Sequence, residues 1–102
     1  SGTRAFISGL IYLAYKGILE MDIKNYECKD YLSFTISGNA AADRADLPEQ
    51  HLIGCVKDFT EKTGSFCPEM ITAKGIESDS ARFAGYFRAW SDAIKNDFLR
   101  VD

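Results

Sequence analysis

The sequence predicts an all-α fold, a small helical bundle of three long helices plus one short or irregular element. Three observations carry it. Apolar residues recur at three- and four-residue steps over 6–21, a capping signature opens a helix at Asp46 that Gly64 closes, and a stripe of aromatic residues runs through 80–99. The 102 residues give room for one domain, taken as 1–102, and a composition 46% hydrophobic and 26% charged is that of an ordinary folded chain.

The first element is FISGLIYLAYKGILEM, residues 6–21. Phe6, Ile7, Leu10, Ile11, Leu13, Ala14, Ile18, Leu19 and Met21 give it a broad apolar face. A membrane span needs about 20 apolar residues, and Arg4, Lys16 and Glu20 confine the uncharged part to residues 5–15. A signal peptide calls for small residues at a cleavage site, which YKGILEMD does not offer. The segment reads as a core helix. Gly9 and Gly17 within it line up with Ala5 and Leu13 in a narrow stripe over which another helix could approach.

Residues 22–42 carry a weak pattern with a turn at Ser37-Gly38-Asn39, and YLSFTI reads as irregular or a short helix. Asp46 followed three residues later by Glu49 is an Asp-type capping box, with Pro48 in the first turn. That helix should run from Leu47 to Thr63 and stop at Gly64. Leu52, Ile53, Cys55, Val56 and Phe59 share one side of it. Residues 65–76 form a connector, and Ser78 or Asp79 caps the last helix. Its apolar stripe is Phe83, Phe87, Trp90, Ile94 and Phe98, beside a small-residue stripe of Ala81, Gly85, Ala89 and Ala93. The two small-residue stripes predict a close helix pair within the chain or across a homodimer.

Charge narrows the function. The net charge of −3 argues against nucleic acid and anionic membranes as partners. Seven acids against three bases between Glu20 and Glu49 concentrate negative charge in the connector before the Asp46 helix. A catalytic triad would have to use the lone His51, there is no phosphate-binding glycine loop, and the cysteines lack zinc spacing. The expectation is a non-enzymatic protein without cofactor or metal that binds another protein. Asp43, Asp46 and Glu49, with His51 nearby, are the candidate contact residues, an acidic plug for a basic or metal-bearing cleft.

Three cysteines permit one disulfide in an exported protein or three thiols in a cytosolic one. Cys28 and Cys67 fall in connectors and Cys55 on a helix face, so Cys28–Cys67 is the preferred pair. It would close a loop of roughly 40 residues, contributing on the order of 4 kcal/mol. Cys55–Cys67 is the competing pair.

In order and spacing, FISGLIYLAYKGI (6–18), Cys28, QHLIGCVKDFTEKTG (50–64) and SARFAGYFRAWSDAIKNDF (80–98) together resemble the Rap/Tai immunity family. These small exported helical proteins are partners of bacterial type VI secretion effectors. The resemblance implies a periplasmic location with the N-terminal signal removed, no enzymatic activity, and neutralisation of a toxin of the cell-wall amidase class by occlusion of its cleft. A second resemblance, of YECKDYLSF (26–34) to the cysteine-containing element of periplasmic acid-stress chaperones, implies a chaperone or a small interaction adaptor instead.

Overall fold

The computed structural model describes residues 2–38 and 45–99. The elements are α1 (Gly2–Tyr15), β1 (Leu19–Tyr26), β2 (Lys29–Ile36), α2 (Leu47–Thr63), α3 (Pro68–Lys74) and α4 (Glu77–Leu99). The all-α expectation is corrected: an antiparallel hairpin stands between the first two helices, making a mixed α/β domain.

The correction begins at Gly17. Instead of lying inside a helix that reaches Met21, this glycine ends α1 in the left-handed region, at φ 81°. The Ile18 N–H donates to the Leu13 carbonyl and the Gly17 N–H to that of Ala14, both at 3.0 Å. This is the Schellman closure, which satisfies the last carbonyls of the helix and reverses the chain. Beyond it the sequence alternates, with Leu19, Met21 and Ile23 on one face and Glu20, Asp22 and Lys24 on the other. Period two is a strand pattern.

β1 pairs with β2 from Leu19 opposite Ile36 to Tyr26 opposite Lys29. The connecting turn is Glu27-Cys28, with both residues at positive φ (50° and 65°), the backbone shape that two-residue hairpins require. β2 carries the anchor. Phe34 is completely buried, and its backbone exchanges hydrogen bonds of 2.8 and 2.9 Å with Phe66 on the side away from β1. The segment following α2 is thereby tied to the sheet.

α2 takes the predicted bounds. Asp46 accepts from the Glu49 N–H, Glu49 answers through the Asp46 N–H, and Gly64 closes the helix at φ 89°. Leu52, Cys55, Val56 and Phe59 are its buried face, and α1, β2 and α4 all pack on this helix. Phe6 of α1 meets three rings of α4: Phe83 at 5.3 Å, Phe87 at 5.9 Å and Trp90 at 5.2 Å. Phe66 bridges Phe59 (4.9 Å) and Phe83 (5.8 Å). Fully burying side chains of this size contributes about 1.5–3 kcal/mol each.

The small-residue stripes serve differently from expectation. A Cβ at Gly9 would lie 2.9 Å from Leu52 Cδ1, so α2 crosses α1 there. On α4, a Cβ at Gly85 would meet nothing within 4 Å, and Ala81 and Gly85 face solvent while Ala93 is buried. Of the aromatic stripe, Phe83, Phe87 and Trp90 join the core, whereas Ile94 and Phe98 are exposed.

Gly17→Ala forces a Cβ into the left-handed region and should destabilise the fold by about 1–2 kcal/mol. Urea denaturation measures it; a smaller loss would show that α1 can end without this glycine's conformation.

Candidate functional site

Two of the predicted contact residues meet at the start of α2, and both are engaged with the chain's own groups. Asp46 Oδ1 accepts the Glu49 N–H at 2.9 Å, and Glu49 Oε1 accepts the Asp46 N–H at 3.2 Å. Glu49 Oε2 accepts from Lys16 Nζ of α1 at 3.0 Å. The carboxylate holds the Lys16 ammonium above its ordinary pKa, so the ion pair persists across the neutral range. His51 is half-buried in the first turns of α2. Asp43 lies outside the described residues.

The Lys16 ammonium also stands 5.1 Å over the ring of Tyr12. It joins the cap of α2 to the outward face of α1, where Ile11, Tyr12 and Tyr15 are 39%, 56% and 88% exposed. Leu47, next to Asp46, is 55% exposed. Ile11, Tyr12 and Tyr15 thus form an exposed apolar and aromatic face on α1, with the Lys16–Glu49 pair beside Tyr12. The sequence contained a signal for this: α1 is apolar on more of its circumference than Phe6, Leu10 and Leu13 need for the core.

A second polar cluster joins α2 to α4. Arg82 donates to Asp58 and to Asp79, each at 3.2 Å, with its guanidinium 4.3 Å over the Phe59 ring. The Tyr86 hydroxyl donates to Asp58 at 2.9 Å. The Tyr86 hydrogen bond first, then Arg82, holds the Asp58 carboxyl below its usual range. Every group faces another member of the cluster, which makes it a structural clasp between two helices.

Cys28, Cys55 and Cys67 are free thiols. The preferred pair does not close in this fold. The Phe34–Phe66 bridge sets Cys67 beside Ser33, while Cys28 sits on the hairpin turn, roughly 17 Å farther along the strand. A disulfide needs Cα atoms within about 7 Å. Burial pushes the Cys55 thiol far above its usual pKa, which leaves it inert. Among the described residues, no group of three or more His, Cys, Asp or Glu side chains could hold a metal ion, and no helix is long and apolar enough to cross a membrane.

Two expectations follow from this chemistry. Because the Asp58 pKa is depressed by folding, its contribution is complete above the unfolded value and disappears as pH falls through the folded one. Asp58→Asn should therefore destabilise the protein by about 1 kcal/mol at neutral pH, and the difference from wild type should shrink towards zero as acid protonates the carboxyl; a difference constant with pH would contradict the assignment. In thiol titration at neutral pH, Cys28 should react fastest and Cys55 only after unfolding. Rapid labelling of Cys55 in the native protein would show that α2 opens locally.

Compared with protein-family models, with curated proteins and with solved structures, the chain matches none.

Proposed function

We propose that this chain is a non-enzymatic binding protein that occludes a protein partner, in the manner of an immunity protein for a secreted cell-wall toxin. The observation that carries the reading is the exposed aromatic face of α1, Ile11, Tyr12 and Tyr15, rimmed by the Lys16–Glu49–Asp46 network. Large apolar side chains grouped on a surface mark interaction sites, and tyrosine is among the residues that contribute most at protein interfaces. The three stretches that resemble the immunity family are helical over 6–15, 50–63 and 80–98, which is consistent with that role. The hairpin lies between the first two.

In this reading the tyrosines supply affinity and the acids supply orientation. Asp46 and Glu49 are held by the cap, so their charge is presented at a defined place and steers a basic partner surface. Lys16 neutralises part of it. Contact is then made chiefly by rings whose rotamer freedom is small and whose loss on binding costs little.

The partner to try is the product of the neighbouring reading frame, mixed with the purified chain and followed by calorimetry. Tyr12→Ala combined with Tyr15→Ala should weaken a one-to-one complex by at least about 10-fold, with the melting temperature within a degree or two because both residues lie outside the core. An unchanged affinity would move the contact off α1. The chaperone reading is favoured by one further observation, the exposure of Ile23, Phe98 and Leu99 as well; suppression of aggregation of an unrelated protein below about pH 3, where the carboxylates are protonated, without a stoichiometric partner at neutral pH, would select it instead.

A further inference from the structure

β1 is an eight-residue strand without a bulge or proline, and its residues from Glu20 to Asn25 are all exposed. β2 covers one of its edges, and the other has no strand partner among the described residues. The turn fixes which groups face that free edge. In a two-residue hairpin the closing pair, Tyr26 and Lys29, is hydrogen-bonded, so alternate pairs point inward and the residues between them point outward. Met21, Ile23 and Asn25 thus aim their N–H and C=O groups away from β2. One hydrogen bond confirms the parity: the Ile23 N–H donates at 2.8 Å to the carboxylate of its neighbour Asp22, not to the opposite strand.

An open strand edge of this length is a template for another strand, and the side chains of this one are complementary to themselves. We infer that the free edge of β1 pairs antiparallel with the same edge of a second copy of this chain, in a register centred on Ile23, giving a continuous four-stranded sheet. In that register Ile23 faces Ile23 across the two-fold axis, and each Asp22 lies opposite Lys24 of the second copy, so two opposite-charge pairs form. Moving the centre to Lys24 places Lys24 opposite Lys24 with no opposite-charge pair to offset it, and moving it to Asp22 places Asp22 opposite Asp22 beside two Glu20–Lys24 pairs. Of the three, the register centred on Ile23 alone has two opposite-charge pairs and no like-charge pair, so charge favours it. The Ile23 N–H passes from the Asp22 carboxylate to the Ile23 carbonyl of the other copy, which frees Asp22 for Lys24. Met21 and Ile23, 47% and 62% exposed on the face that also carries Phe34, are partly covered in the assembly. This contact is separate from the aromatic face of α1 and stands or falls independently of it.

Sedimentation equilibrium of the full chain, from about 10 µM to about 500 µM, reads the association, since an interface of this size is expected to be at the weak end. The weight-average mass should rise towards twice that of the chain. Asp22→Lys and Lys24→Asp, each creating two like-charge pairs, should weaken self-association at least tenfold, and the double variant D22K/K24D should return it to within about threefold of wild type. Ile23→Pro removes an N–H that the β1–β2 ladder does not use and should abolish the dimer while the monomer keeps its fold by circular dichroism. A chain that stays monomeric throughout overturns the inference. So does a dimer indifferent to Ile23→Pro, and so does a double variant no better than the two single ones.

Discussion

A two-stranded hairpin has little stability of its own in water, so this fold depends on what holds β2 against the helices. Phe34 is that hold. Its ring is completely buried, and its backbone pairs with Phe66 on the side β1 leaves open. Phe66 stacks on Phe59 of α2 and touches Phe83 of α4, which in turn packs on Phe6 of α1. One chain of contacts thus runs from the sheet through every long helix. The rings do more than fill space: each lies on a different segment, so none of the three long helices can move without opening an apolar gap.

β1 is held chiefly through β2 and its connection to α1, with Lys74 of α3 over the Tyr26 ring at its far end. It gains backbone hydrogen bonds on one side and contributes Leu19 to the core, yet its residues from Glu20 to Asn25 are exposed. A strand in that position supports little of the fold, which makes its length and regularity notable in physical terms. Strand edges without a role are usually shortened, bulged or interrupted by proline; this one is none of these, although Lys24 and the flanking acids limit indiscriminate pairing. The polar groups around the helices work locally. Lys16–Glu49 fixes α1 against the start of α2, and the Asp58–Arg82–Tyr86 clasp fixes α2 against α4. Partial exposure keeps both modest in energy, so they add to helix contacts that the buried rings already make.

The helices were legible to different degrees. α2 could be read almost to the residue because its signals are local: Asp46 and Glu49 three apart, Pro48 in the first turn and Gly64 at the end. The hairpin was hidden for two reasons. Ile18, Leu19 and Met21 continue a helical spacing from Leu10 and Ile11 as well as they begin an alternation, and the turn is made by Glu27 and Cys28, which seldom adopt positive φ, in place of the asparagine and glycine that announce such turns. At the start of α2, Asp46 and Glu49 were visible as an acidic pair, but the bond of Glu49 to Lys16 joins residues 33 positions apart, and no spacing rule reaches that far.

By itself the sequence determined the properties that depend on neighbours along the chain: where α2 begins and ends, which side of α2 is apolar, the acidic bias near residues 20–49 and the cysteine spacing. Tertiary structure decided what depends on distant partners. Gly17 is a helix end because the reversed chain can then lay Leu19 and Phe34 on the core, Gly9 admits Leu52 and not α4, and Tyr12 and Tyr15 face outward because Phe6, Leu10 and Leu13 occupy the inside. Local signals fix the ends of elements, whereas burial, which is a property of the whole assembled chain, chooses between two periodicities that one stretch of sequence can satisfy equally well.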